Sequence, residues 1–156
     1  MSDEYRVRAA TLADADVLVR HRLAMFTDMR VAFDAAALDA RFRAWLGDTI
    51  AAGTYRAWLA ETDRGDVGGG ITIIPWPPGP QYAGDRLAFV YNVYTDPSHR
   101  RRGLARRIMD VIHEWCRDAG ITSMALNASR DGKPLYESMG YAESPSPMMF
   151  LPIVQV

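Results

Sequence analysis

Hydrophobic positions along the chain change their period several times, and each change marks an element. Tyr5 to Ala10 alternates Tyr, Val and Ala with Arg6 and Arg8, which predicts a strand with one wet face. Thr11-Leu-Ala-Asp14 has the form of a capping box with Asp in place of Glu, and Leu12, Ala15, Leu18, Val19, Leu23 and Phe26 follow at helical spacing. A second helix starts at Asp34, because Leu38, Phe42, Trp45, Leu46, Thr49 and Ile50 form one apolar stripe that stops at Gly53. Tyr55 to Glu61 and Val67 to Ile74 read as strands joined by the turn Thr62-Asp-Arg-Gly-Asp66. Residues 75 to 85 carry four prolines in their first six positions and are expected to be a loop.

Leu87 to Tyr94 is almost continuously apolar and aromatic, the mark of a central strand covered on both faces. Leu104, Ile108, Val111, Ile112, Trp115, Cys116 and Ala119 then give the strongest helical signal in the chain, ended by Gly120. Ser123 to Leu126 reads as a short strand. Asp131 is a candidate cap for a last helix running through Pro134, Leu135 and Tyr136 to a Gly140 stop, and Tyr141 to Ile153 is expected to supply closing strands. Gly68-Gly-Gly70 sits inside a strand pattern, which points to a bulge or a close backbone approach and not to a phosphate loop of the Walker type. The order predicts one α+β domain over residues 1–156 with a mixed sheet.

Composition changes this picture little: 49% hydrophobic and 24% charged residues suit a soluble globular protein. No apolar run approaches the ~18 residues of a membrane span and the first residues lack the form of a signal peptide, so a cytoplasmic location is expected. The single cysteine, Cys116, falls among apolar helix positions and reads as a buried thiol. His21, His99 and His113 lack metal-ligand spacing, and no metal is expected. The Met25, Phe26 and Met29 cluster reads as core.

Charge changes the picture more. The net charge is only -1, yet Arg100, Arg101, Arg102, Arg106 and Arg107 fall around Gly103, between an apolar strand and a helix. A helix entered directly from a strand leaves its first amides unpaired at the positive end of the dipole. With Gly103 removing a side chain at the tightest point and Ala105 keeping the next approach small, amides from Arg100 to Ala105 can curl around an oxyanion. A small anion fits this local charge better than a nucleic-acid backbone, which a near-neutral protein is not expected to bind.

The order Arg100-x-x-Gly103-x-Ala105 resembles the pyrophosphate loop of the GCN5-related N-acetyltransferases, the GNAT family. Leu135-Tyr136-Glu137-Ser138-Met139-Gly140-Tyr141 is similar to that family's last helix. The resemblance implies a three-layer fold with a central mixed, mostly antiparallel sheet flanked by about four helices. It also implies acetyl transfer from acetyl-CoA to a primary amine of a small molecule or peptide, by direct attack in a ternary complex. Val93, Tyr94 and Thr95 would offer backbone groups to the pantetheine arm, the loop Arg100, Arg101, Arg102, Gly103, Leu104 and Ala105 would hold the pyrophosphate, and Asn127 would contact the cosubstrate. Tyr136 would protonate the departing thiolate and also touch the cosubstrate, the carbonyl oxygen would be polarised by a strand-four amide such as that of Val93, and Asn92 stands as a second catalytic candidate. The interior of this strand carries no carboxylate, so the base stays open between ordered water, Glu61, Asp85 and Glu143. A coenzyme A sensor of the same fold without efficient turnover is the alternative. The acceptor pocket would be bounded by residues 21–30, 76–82 and 144–149, with Arg22 or Arg30 able to pair a carboxylate, and a homodimer is compatible with the closing strands.

Overall fold

A computed structural model describes residues 5–62 and 65–154. Asp63 and Arg64, the middle of the expected hairpin turn, lie outside the described residues. The chain forms two compact units, one ending at Leu126 and one beginning at Asn127.

The first unit is built on five strands in sequence order, β1 (Val7–Ala9), β2 (Tyr55–Ala60), β3 (Val67–Pro75), β4 (Arg86–Thr95) and β5 (Met124–Leu126). All neighbours are antiparallel except β4 and β5, which run parallel. Three helices belong to this unit: α1 (Ala15–Asp28), α2 (Ala35–Ala52) and α3 (Leu104–Asp118). The capping box expected at Thr11 and Asp14 is formed in both directions and opens a 3-10 turn that leads into α1. Asp34 caps α2 by accepting from the Ala37 amide, and Gly53 closes it in the left-handed conformation.

Alternation along β2 distributes the helices. Tyr55, Ala57 and Leu59 join Leu18, Val19, Phe42 and Leu46 in the core shared with α1 and α2. Trp58 points to the other face, where its ring lies 5.8 Å from that of Trp115 on α3. On that face α3 buries Leu104, Ile108, Met109, Ile112 and Cys116, and burial pushes the Cys116 thiol up to about 11, an inert structural group.

The three glycines of β3 let both layers press onto the strand. A Cβ on Gly69 would stand 2.8 Å from Ile108 of α3, and one on Gly70 would stand 2.6 Å from Cζ of Tyr55. The pairing of β3 with β4 slips at this point: Gly68 faces Tyr94 and Gly70 faces Tyr91, so Gly69 opposes both Asn92 and Val93. The extra residue is a bulge in β4, with Asn92 at φ +59.

The second unit holds α4 (Lys133–Ser138), which ends near Gly140 at φ +97. Two expectations fail here. Asp131 does not cap α4; Gly132 occupies that position and its amide donates to Ser129 Oγ at 3.1 Å. Residues 141–153 form no strand: Pro145, Pro147 and Pro152 remove ladder donors, and Met149, Phe150 and Ile153 are left almost wholly exposed. Met29, expected in the core, is likewise 55% exposed at the end of α1.

Because Tyr55 is buried and fixed by its ring contacts, Gly70→Ala should lower stability by about 1–3 kcal/mol through overpacking. Denaturant unfolding that returns an unchanged midpoint would mean the phenol ring does not rest on the β3 backbone.

Candidate active site

The bulge is held by side chains on both sides of it. The Asn92 Nδ2 donates to the Tyr55 hydroxyl at 2.8 Å, and its Oδ1 accepts from Arg22 Nη1 at 2.7 Å. Asn92 is 8% exposed and Tyr55 1%, and burial pushes the Tyr55 phenol up to about 12, so it stays protonated at neutral pH. Both ends of the Asn92 amide are therefore committed, and the side chain tolerates the left-handed backbone that the bulge requires.

The consequence falls on the strand's other edge. Ladder partners on β5 exist for Ala88, Phe89 and Val90, and among the described residues of the first unit β4 runs on from Tyr91 to Thr95 without a ladder partner on that side. Main-chain groups of Val93, Tyr94 and Thr95 lie on this stretch. Thr95 gives its carbonyl to Arg100 Nε at 3.0 Å.

After β4 the chain makes a 3-10 turn over Pro97–His99 and enters the arginine loop. Arg101 at φ +63 and Gly103 at φ +71 are both left-handed, which turns successive amides toward one side ahead of α3. No side chain caps the first amides of α3, and a Cβ on Gly103 would meet nothing within 4 Å. Leu104 buries its side chain in the core and so contributes main chain alone, while Ala105 is half-buried. The result is a concave set of N–H donors with dipole-derived positive potential.

Of the loop side chains, Arg100 reaches back to Asp28 at 2.7 Å, whereas Arg101 is exposed. Arg102 is the end of a relay that sequence reasoning missed. Its Nη1 donates to the Tyr5 hydroxyl at 2.9 Å, that hydroxyl lies 3.0 Å from His99 Nδ1, and His99 Nε2 lies 3.2 Å from Asp66. Protons are consistent throughout if His99 donates to Asp66 and Tyr5 donates to His99. Tyr5 is separated from His99 and Arg102 by more than ninety positions in sequence, and no local pattern signals the pairing.

Among the described residues no carboxylate bonds to the Asn92 side chain, whose partners are Arg22 and Tyr55. Asp85 precedes β4, seven residues from Asn92 or roughly 23 Å at strand rise. Glu61 lies beside Arg8 at 3.5 Å. Glu143, in the second unit, is paired with Lys133, which holds its carboxyl below the usual range. In the same unit Asn127 is exposed, and Tyr136 packs edge to face against Tyr141 with ring centroids 5.8 Å apart. Burial raises the Tyr136 phenol above its ordinary value, which keeps its proton in place at neutral pH. Among the described residues no cluster of His, Cys, Asp and Glu could hold a metal ion, and no helix is long and apolar enough to cross a membrane.

His21 is a different buried histidine, 1% exposed, with Nε2 donating to the Gly65 carbonyl at 2.6 Å. Desolvation lowers its pKa to about 4, so the imidazole is neutral in the folded protein. Between that value and the unfolded value near 6.5 the unfolded chain binds the extra proton, so stability falls as the pH drops through this window. The loss should approach about 3 kcal/mol near pH 4, and His21→Gln should flatten that limb of the stability profile; a limb of equal slope in both proteins would contradict it.

Comparison with known proteins matches residues 22–141 to the family model described as acetyltransferase (GNAT) family. A GCN5-related N-acetyltransferase from Ralstonia eutropha JMP134 is similar over 96% of this chain and 98% of that one, with 35% identity and a TM-score of 0.83. A predicted acetyltransferase from Clostridium acetobutylicum, solved with acetyl-CoA, gives a TM-score of 0.82 at 22% identity over 94% and 96% of the two chains. Aminoglycoside N(6')-acetyltransferase type 1 of Serratia marcescens is 31% identical over 61 residues, 37% of this chain and under half, 42%, of that enzyme.

Proposed function

The chain belongs to the GNAT acetyltransferase family, and from that premise we propose that it transfers an acetyl group from acetyl-CoA to the primary amine of a small molecule. One observation carries the reading. A strand whose outer edge beyond Val90 has no described ladder partner leads through one 3-10 turn into a loop with two left-handed residues and a helix without a side-chain cap, so a linear ligand ending in a diphosphate finds strand-like and anion-binding partners in series. The family model runs from Arg22 to Tyr141 and so takes in most of the first compact unit and half of the second, which supports treating residues 1–156 as one catalytic domain.

In this reading the amides of 101–105 bind the diphosphate, with Arg101 and Arg102 adding charge. Val93, Tyr94 and Thr95 pair with the pantetheine amides, as an added strand would. Asn127 contributes a further contact to the same arm. The neutral amine nitrogen of the acceptor attacks the thioester carbonyl, the C–N bond forms, and the C–S bond breaks as coenzyme A leaves. Negative charge developing on the carbonyl oxygen is met by a β4 amide, for which Val93 is the choice. Tyr136 gives its proton to the departing thiolate, and the proton released by the acceptor nitrogen passes to water. Asn92 serves by shaping the strand that presents these amides, its own polar atoms being engaged by Arg22 and Tyr55.

Release of free thiol from acetyl-CoA across a panel of amines tests the activity; thiol release with no amine in the panel would overturn it. Tyr136→Phe should lower kcat by about a hundredfold with acetyl-CoA affinity retained, and an unchanged kcat would remove Tyr136 from the mechanism. Arg102→Glu should weaken acetyl-CoA binding by about tenfold or more in calorimetry, while Arg107→Glu on the helix flank should cost much less. Equal losses would mean the phosphates lie elsewhere.

A further inference from the structure

Arg22 is unlike the other arginines that anchor this fold. Arg8, Arg43 and Arg100 each contact a carboxylate at hydrogen-bond distance. Arg22 is more enclosed, yet no described carboxylate lies within 4.0 Å of it. Its guanidinium lies over two rings, with Cζ 5.0 Å from the Phe26 centroid and 5.2 Å from that of Phe42. Nη1 is committed to Asn92, Nε is buried without a partner, and no described group accepts from Nη2. Desolvation lowers its pKa from the ordinary value, but a guanidinium stays charged at any physiological pH.

A half-buried cation with no described counter-ion, and with its Nε wholly buried, is costly in free energy. Its aromatic neighbours recover part of that cost, and the planar fork of donors left over matches a carboxylate in shape. Its position is equally specific. The guanidinium hydrogen-bonds the side chain of the bulge residue, so it lies three covalent bonds of ~1.5 Å and one hydrogen bond of 2.7 Å from the Asn92 Cα on β4. Arg30, the other arginine expected to pair a carboxylate, is exposed beyond the end of α1 and has no such seat.

We infer that the acceptor is a small amine bearing a carboxylate, and that Arg22 is the residue that selects it by pairing with that anion. The inference rests on the acetyl-transfer reading and narrows its substrate class. Discrimination comes from the pairing itself: an amine without the anion leaves the half-buried cation uncompensated, and one carrying a second cation is repelled.

The test compares matched amines on the full chain with acetyl-CoA: L-α-amino acids, their carboxamides, and the corresponding decarboxylated amines. The wild-type protein should favour the carboxylates by at least about tenfold in kcat/KM. Arg22→Met, close in volume, should reduce the ratio to about one, and Arg22→Lys should restore part of it. Thermal melts and acetyl-CoA calorimetry accompany both variants. If Arg22→Met does not fold, the wild-type ratio and the Lys variant still decide: a wild-type preference for the uncharged amines, or a preference for carboxylates unchanged by Lys, overturns the inference. Turnover of uncharged amines alone would overturn the role of Arg22 while leaving acetyl transfer intact. Absence of both turnover and acetyl-CoA binding would overturn the acetyl-transfer reading and the inference with it.

Discussion

Two hydrogen bonds to one buried amide organise the first unit. Asn92 stands at φ +59 in the middle of a strand, a conformation that costs free energy for any residue with a side chain, and Arg22 and Tyr55 hold it there at 2.7 and 2.8 Å. A buried amide with both ends satisfied is far more stable than one with either end open, so the pair fixes both the rotamer and the bulge. The bulge lies just beyond Val90, the last β4 residue paired with β5, where the strand's outer edge has no ladder partner among the described residues of this unit. The same residue therefore connects the α1 side of the sheet to the edge that faces the proposed cosubstrate.

Glycine makes this arrangement sterically possible. Tyr55 lies on β2, and its phenol must cross β3 to reach β4; it does so over Gly70, where any side chain would collide with the ring. On the opposite face Gly69 lets Ile108 approach the β3 backbone, which brings α3 close to the strand it follows. Backbone geometry and helix packing thus converge on the bulge from two sides. The arginine loop is a second consequence of α3 being held this near, since its first amides emerge beside the end of β4 without a capping side chain.

Much of this was legible in the sequence because the signals are local. The Thr11 box, the Asp34 cap, the Gly53 and Gly120 stops and the Gly103 turn are each read within four residues of one another, and all are formed. The Gly68–Gly70 run announced a close approach, though not what approached. Long-range partners were not legible: nothing near Arg22 points to Asn92 seventy positions away, and nothing near Arg102 points to Tyr5. The closing segment failed for another reason. Its apolar residues fit a strand, but three prolines and the lack of a described ladder partner leave it without backbone pairing, so hydrophobic content alone misled. Asp131 lost the cap to Gly132 by one position, within the usual uncertainty of a helix boundary.

Titration with coenzyme A followed by backbone amide NMR tests the central claim, that the free β4 edge and the left-handed loop form one continuous binding track. The account predicts that the largest shifts appear together in the amides of Val93 to Thr95 and Arg101 to Ala105, with a single shared dissociation constant. Shifts that spare both segments, or that fit different constants for the two, would contradict it.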